Sequence, residues 1–242
     1  MSDSFLYMTD AQLAAEMDRC EFCEEKPCKD ACPADCSPAD FIMAAKLQNP
    51  EDMLRSAALI MTRNPLGGVC GGVCPDTHCQ EACSRRTFDA PVEIPTVQAA
   101  IVARAKALRK MPHLKYAPAN GKKDAVVGAG PAGLGAAVSL AQGGYDVNLF
   151  ERDSRAGGAC ALIPSHRLPA EVLQSDIEWA LDNPNLSLTL NHEVADPSAL
   201  LNQGFDAVVV AEGLHNPVKL GIPGEDSAIG SNTYLRNPQK YP

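Results

Sequence analysis

Residues 124–151 read DAVVGAGPAGLGAAVSLAQGGYDVNLFE. A short apolar run ends at Gly128, and Gly128, Gly130 and Gly133 open an alanine-rich segment of helical character, with Ala129, Pro131 and Ala132 completing the turn. A second apolar run, YDVNLFE, finishes on Glu151, 18 residues beyond Gly133. The glycine spacing alone is a weak signal. Placed between a strand and a helix, with an acid at the tip of the next strand, it becomes a dinucleotide fingerprint. Gly128 permits the tight turn, Gly130 lets the backbone approach a pyrophosphate, and Gly133 lets helix and strand pack closely. The helix start then presents free N–H groups to the phosphates. Glu151 can accept hydrogen bonds from ribose hydroxyls.

Downstream the alternation continues. PAEVLQSDIEWAL reads as a helix carrying Trp179, LSLTLN as a strand and DAVVVAEG as a further apolar strand. Strands alternating with helices imply a parallel, doubly wound sheet, so an α/β, Rossmann-like domain is expected over 124–242. Upstream the character differs, and residues 1–112 read as short helices joined by loops rich in Cys, Pro and Gly. Thr9 to Gln12 fits a capping box for a helix running towards Arg19. Ser37-Pro38 and Asn49-Pro50 each set a capping residue before a first-turn proline. Asn64-Pro65-Leu66-Gly67-Gly68 breaks the helical pattern, and PTVQAAIVARAKALRKM resumes it from Pro95. Arg104, Lys106, Arg109 and Lys110 are expected on a solvated helix face. Residues 113–123, HLKYAPANGKK, read as a linker. The expected fold is α+β overall, an all-α N-terminal domain followed by the α/β domain.

Of ten cysteines in 242 residues, nine lie between Cys20 and Cys83. The net charge of −9 argues against nucleic acid or an anionic membrane surface as partner. The opening MSDSFLYMTD lacks the basic region and apolar core of a secretory signal, and no stretch nears the roughly 20 apolar residues of a membrane span. These features point to the cytoplasm, where dense cysteines signal metal binding rather than disulfides. CEFCEEKPCKDACP, residues 20–33, spaces its cysteines by two, four and three residues; CGGVCPDTHCQEAC, residues 70–83, by three, four and three. Structural zinc takes closely spaced pairs. Bacterial ferredoxins instead use C-x2-C-x2-C-x3-C-P, the last cysteine serving the other cluster. Cys20, Cys23, Cys28 and Cys32-Pro33 follow that order with one longer gap. Three neighbouring thiolates can wrap three corners of a cubane, and the proline turns the chain away from the fourth. Two [4Fe–4S] clusters drawing on both runs are therefore preferred over zinc. The five histidines are scattered, and no Ser/His/Asp or Cys/His nucleophile constellation is apparent.

Taken with NPLGGVCGGVCP and EIPTVQ, the first cysteine run resembles the N-terminal iron–sulfur domain of the glutamate synthase small (beta) subunit. Dihydropyrimidine dehydrogenase and related NAD(P)H-dependent iron–sulfur flavoproteins share that domain, and the GAGPAG half extends the similarity over essentially the whole chain. The resemblance implies ligands exchanged between the runs. Cys20, Cys23, Cys28 and Cys83 would hold one cluster; Cys32, Cys74, Cys79 and Gln98 would hold the other, leaving Cys36 and Cys70 aside. Cys70 remains the alternative to Gln98. The resemblance also implies FAD in the glycine-rich turn, with Glu151, Arg152, Gly158, Arg167 and Val194 among its contacts.

In function it implies an electron-transfer module relaying electrons between flavin and a partner's active site. The NAD(P)H-binding domain or subunit and a larger catalytic subunit would lie outside this chain, with no nucleic acid and no membrane as partner. Two departures accompany the likeness. The stretch from Gly158 to Ile163 is one residue short and carries Ala159 where leucine is expected, and SNTYLRNPQKYP ends the chain before any second dinucleotide domain. A fragment of a longer polypeptide and a split subunit are both compatible with that ending. The rival readings are a flavin centre splitting electrons between two acceptors, a non-catalytic cluster-bearing assembly subunit, and a zinc-binding interaction protein.

Overall fold

The computed structural model describes residues 7–110, 114–214 and 218–241. The start of the MSDSFLYMTD stretch and the expected domain boundary at 112–113 lie outside them. Six helices come first: α1 (Asp10–Asp18), α2 (Pro27–Asp30), α3 (Pro38–Ala45), α4 (Pro50–Arg63), α5 (Gly67–Val73) and α6 (Ile94–Ala107). Then follow β1 (Lys123–Val127), α7 (Pro131–Gln142), β2 (Asp146–Phe150), α8 (Ala170–Leu181), β3 (Leu186–Thr189), β4 (Ala207–Val210) and α9 (Ser231–Arg236).

The helix starts follow from local chemistry. The Gln12 N–H donates to Thr9 Oγ1 at 3.2 Å and the Thr9 N–H to Gln12 Oε1 at 2.9 Å, which completes the capping box. Asn49 Oδ1 accepts from the Asp52 N–H at 3.0 Å. Ser37 departs from expectation: its side chain makes no cap bond, and Pro38 alone shapes that start. Helices α1, α3, α4 and α6 enclose a core built on Leu13, Met17, Phe41, Ile42, Ile60, Val97 and Ile101.

The larger correction is α5. Asn64 to Gly68 breaks the helical pattern in sequence, and each glycine costs roughly 1 kcal/mol against alanine in a helix, yet GGVCGGV is helical from Gly67 to Val73. Packing explains it. A Cβ on Gly71 would stand 2.5 Å from the Ala99 backbone nitrogen, and one on Gly67 would stand 2.6 Å from Ile60 Cγ2. The glycines are what allow α5 to lie backbone against backbone on α6, and tertiary contact then supplies what propensity lacks.

The sheet has strand order β3-β2-β1-β4 with every pair parallel. Its central strand β1 buries Ala125, Val126 and Val127, as a strand covered on both faces should. One face packs on Leu134, Ala137 and Ala141 of α7; the other meets Leu200 and Phe205. The chain runs outward from β1 to β3 and returns to β4 on the other side of β1, so the crevice beyond the carboxyl ends of β1 and β4 is a switch point. The fold is α+β, with a Rossmann-like parallel sheet after the helical segment.

The two segments are joined by packing. Leu66 and Val69 insert among Leu134, Leu168, Leu173 and Ile177. Lys106 pairs with the buried Asp176 of α8, and Arg104 Nη2 donates to the Met8 carbonyl and Asp10 Oδ1, both at 2.7 Å. Those two cations thus make tertiary contacts rather than a solvated face, and Arg109 and Lys110, though exposed, follow the end of α6 at Ala107.

Candidate cofactor sites

Cys20, Cys23 and Cys28 come together with Cys83 around one pocket backed by Ile42, Val92 and Ile94. Left-handed backbone at Phe22 (φ 49°) and Lys26 (φ 47°) curls the first run so that successive thiols face inward. Ion pairs bridge the first run and the stretch beyond the distant fourth cysteine. Arg85, two residues beyond Cys83, donates to Glu21 Oε1 at 2.5 Å and to Asp89 Oδ1 at 2.8 Å. Burial raises the Cys20 and Cys28 thiols, Cys28 to about 11, with neighbouring thiols adding to the effect. A bound cation would reverse that by deprotonating its thiol ligands outright. The donors are sulfur, and Glu21 at the rim is already taken by Arg85, so by donor type the set favours soft or borderline metal chemistry over a hard cation.

Cys32, Cys36, Cys70, Cys74 and Cys79 form a second group. A hydrogen bond from Cys36 lowers Cys32 to about 6 and raises Cys36 in turn. Cys70 falls to about 7 through hydrogen bonds from Cys74 and Asn64, and Cys74 rises. Burial lifts Cys79 to about 11, with Cys32 and Cys28 contributing charge. Cys32, Cys74 and Cys79 are thus neighbours, and Cys70 lies among them. Gln98 is buried on α6 and spends its amide nitrogen on the Gly67 carbonyl at 2.8 Å. That bond leaves Oε1 as its lone-pair donor, the atom a glutamine ligand would use. Among the described residues, no three His, Cys, Asp or Glu side chains converge as one bare ion requires.

The third site is a cavity of about 410 Å³ at the switch point, within the usual range for a ligand pocket. It brings together Gly128, Gly130, Pro131, Ala132, Glu151, Arg152, Gly158 and Val194. Gly128 holds φ +100°, and a Cβ on Gly133 would fall 1.7 Å from the Gly128 carbonyl oxygen, so neither tolerates a side chain. Ala129 and Gly133 lie behind the lining. The Ala129 N–H donates to Glu151 Oε2 at 2.8 Å, and the Asp153 N–H donates to Glu151 Oε1 at 2.9 Å. Glu151 therefore braces the turn as well as facing the cavity. Gly158 sits so near Gly130 that a Cβ there would stand 2.8 Å from the Gly130 Cα. Arg167 is exposed and outside the lining.

The sequence reading missed His192, whose ring lies 5.0 Å from that of Phe150, and Asn232 and Arg236 of α9. Arg236 Nη1 reaches Asp153 Oδ2 at 3.5 Å, which brings the last helix onto the cavity. No periodicity or spacing in SNTYLRNPQKYP signals that return. Burial raises the Cys160 thiol, which lies between the cavity residues Ala159 and Leu162 and shares an apolar cluster with Val69 and Val73 of α5. The cavity wall therefore packs on α5, the helix that carries Cys70.

Residues 1–110 match the family described as dihydropyrimidine dehydrogenase domain II, 4Fe-4S cluster, and residues 122–241 match the pyridine nucleotide-disulphide oxidoreductases. The helical segment therefore groups with dihydropyrimidine dehydrogenase domain II and the sheet segment with the pyridine nucleotide-disulphide oxidoreductases. It is 36% identical over 203 residues to the NAD-dependent dihydropyrimidine dehydrogenase subunit PreT of Escherichia coli (strain K12), covering 82% of this chain and 48% of that protein. It is 35% identical to the NADP(+)-dependent formate dehydrogenase subunit beta of Moorella thermoacetica, covering 84% and 32%. With the NADPH-Fe(3+) oxidoreductase subunit beta of Geobacter sulfurreducens (strain DL-1 / KN400) it shares 32% identity, covering 93% and 33%. The chain thus spans 32% to 48% of the length of these relatives. Membership brings 4Fe–4S chemistry to the helical segment and flavin or nicotinamide chemistry to the sheet. Among the described residues no helix is long and apolar enough to cross a membrane.

Proposed function

We propose that the chain is the electron-transfer module of an NAD(P)H-dependent oxidoreductase. Two [4Fe–4S] clusters would lie within residues 1–112, 113–123 would link, and FAD would lie within 124–242. Bound FAD supplies the exchange between hydride transfer from a nicotinamide, held outside this chain, and single-electron transfer to the clusters. The observation that carries the reading is the meeting of Cys83 with Cys20, Cys23 and Cys28 around one pocket. That meeting follows the exchange of ligands between runs, and local zinc pairs give no reason for it.

The residues divide the work. Gly128, Gly130 and the start of α7 offer backbone N–H groups to a pyrophosphate, and Glu151 holds the turn while facing a ribose. Cys32, Cys74 and Cys79 hold the cluster beside the flavin cavity, with Gln98 completing it and Cys160 in the intervening wall. Cys20, Cys23, Cys28 and Cys83 hold the cluster farther out, and burial and hydrogen bonds to sulfur set the potential of each. The outer pocket would then be the side at which a partner subunit in the cytoplasm exchanges electrons with the module.

Anaerobic purification tests the reading. A brown protein with about eight iron and about eight labile sulfide per chain, the content of two [4Fe–4S] clusters, together with one FAD, is the expected result. A colourless protein carrying stoichiometric zinc would overturn it.

A further inference from the structure

The cluster helix α5 does not hold itself in place. Four of its seven residues are glycine, and Leu66 at its start offers no side-chain cap. Its first free N–H groups are instead bound from the far layer. Gly68 N donates to Asp176 Oδ1 at 3.3 Å and Val69 N to Asp176 Oδ2 at 2.7 Å, across more than a hundred residues of sequence. Asp176 is 1% exposed. Lys106 of α6 donates to the same carboxylate, to Ser175 Oγ at 2.8 Å, and lies 5.5 Å over the Trp179 ring. One carboxylate therefore ties α5, α6 and α8 together. The site leaves no slack, since a Cβ on Gly68 would stand 2.9 Å from Asp176 Oδ1. Burial pushes the Asp176 carboxyl up and the Lys106 ammonium down, while their mutual attraction and the two N–H bonds favour the charged forms. A buried charge so fully partnered is expensive to keep unless the position needs it.

We propose that Asp176, paired with Lys106, is the positioning residue of the second cluster: from the flavin layer it fixes α5, and with it Cys70 and Cys74, at the depth the cluster requires. The inference rests on the two-cluster reading above. Cys70 follows Val69 directly, and Cys74 closes the helix with its N–H on the Cys70 carbonyl at 2.8 Å. A shift of α5 along its axis therefore moves both thiols together. Because α8 also packs under Gly157 through Leu173, the same carboxylate registers the cluster helix against the wall of the flavin cavity.

The test uses the full chain, with Asp176→Asn, Asp176→Ala, Asp176→Glu and Lys106→Met compared with the unsubstituted protein. Amide hydrogen exchange across 67–74 is read in the apo form, and cluster spectra and midpoint potentials in the anaerobic holo form. Asp176→Asn keeps the shape and loses the charge. It is expected to raise exchange at these amides at least tenfold and to move the spectrum and potential of the second cluster alone. Asp176→Ala is expected to halve the iron content, leaving the outer cluster's signal and the FAD in place, with Asp176→Glu recovering part of the loss and Lys106→Met moving the same cluster as Asp176→Asn. If α5 exchange and both cluster signals stay unchanged in Asp176→Asn and Asp176→Ala at full iron content, the proposal fails and the pair only glues two layers. Half the iron in the unsubstituted chain would overturn the two-cluster reading itself, and this proposal with it.

Discussion

The two thiol groups are framed in opposite ways. Around Cys20, Cys23, Cys28 and Cys83 the frame is exposed and ionic: Arg85 with Glu21 and Asp89, and Arg19 with Glu16 at 2.6 Å. Behind the α5 end of the second group, which carries Cys70 and leads into Cys74, it is close-packed, with α5 pressed on Ala99 and Ile60 and a buried carboxylate at its start. Exposed ion pairs contribute little each, so the first group owes its shape to the left-handed turns at Phe22 and Lys26 and to its apolar backing. The second has no such tolerance, because neighbours in a packed interior must move if it moves. The first group should survive changes to its rim, and the second should register changes some distance away.

The sharpest test separates the groups outright. Cys83→Ala is expected to remove the outer cluster and Cys79→Ala the inner one, each lowering iron from about eight to about four per chain, while the remaining EPR signal keeps its shape. Loss of both signals from either substitution would mean that the groups are not independent sites. Within the second group, Gln98→Ala is expected to weaken or remove the inner cluster and Cys70→Ala to leave it, read from the same spectra. The reverse pattern would make Cys70 the ligand and reduce Gln98 to a prop beneath Gly67.

Much of this was legible in the chain, and unevenly so. The strands of the α/β half announce themselves because buried parallel strands are continuous apolar runs, and the G-x-G-x-x-G turn stands where a strand meets a helix. The cysteine runs reveal their chemistry by spacing. What stayed hidden depends on partners far away in sequence. GGVCGGV is helical because Ala99 and Ile60 lie against it, which no propensity records. Lys106 looks like a surface cation until Asp176, 70 residues on, is placed beside it. Arg236 and His192 reach the cavity through loops whose course follows from packing alone.

Glycine substitutions turn that contrast into a stability measurement. Gly71→Ala must push α5 off α6, since its Cβ would meet the Ala99 backbone at 2.5 Å. Overpacking of this kind costs about 1–3 kcal/mol, so the melting temperature of the apo chain should fall by several degrees. Gly135→Ala in α7 is the control. A Cβ there meets nothing within 4 Å, and replacing a helix-interior glycine should stabilise by about 0.5–1 kcal/mol. A Gly71→Ala protein as stable as the parent would mean that α5 and α6 do not touch.

The smallest effect is expected at the rim of the outer group, where Ser84 Oγ lies 3.3 Å from Cys23 Sγ. With the sulfur bound to iron as thiolate, the hydroxyl becomes the donor, and a hydrogen bond to ligand sulfur offsets part of the negative charge that reduction adds. Hydrogen bonds to the sulfurs are among the factors that set these potentials. Ser84→Ala should therefore lower the outer cluster's midpoint potential slightly, leave the inner cluster's unchanged, and spare iron content and melting temperature. Ser84→Thr, which keeps the hydroxyl, should restore the parent value. The inner group offers the counterpart in Asn64, whose side chain hydrogen-bonds Cys70. If Gln98 and not Cys70 completes that cluster, Asn64→Ala should move the inner potential less than Ser84→Ala moves the outer one, because Asn64 then touches a thiol that holds no iron.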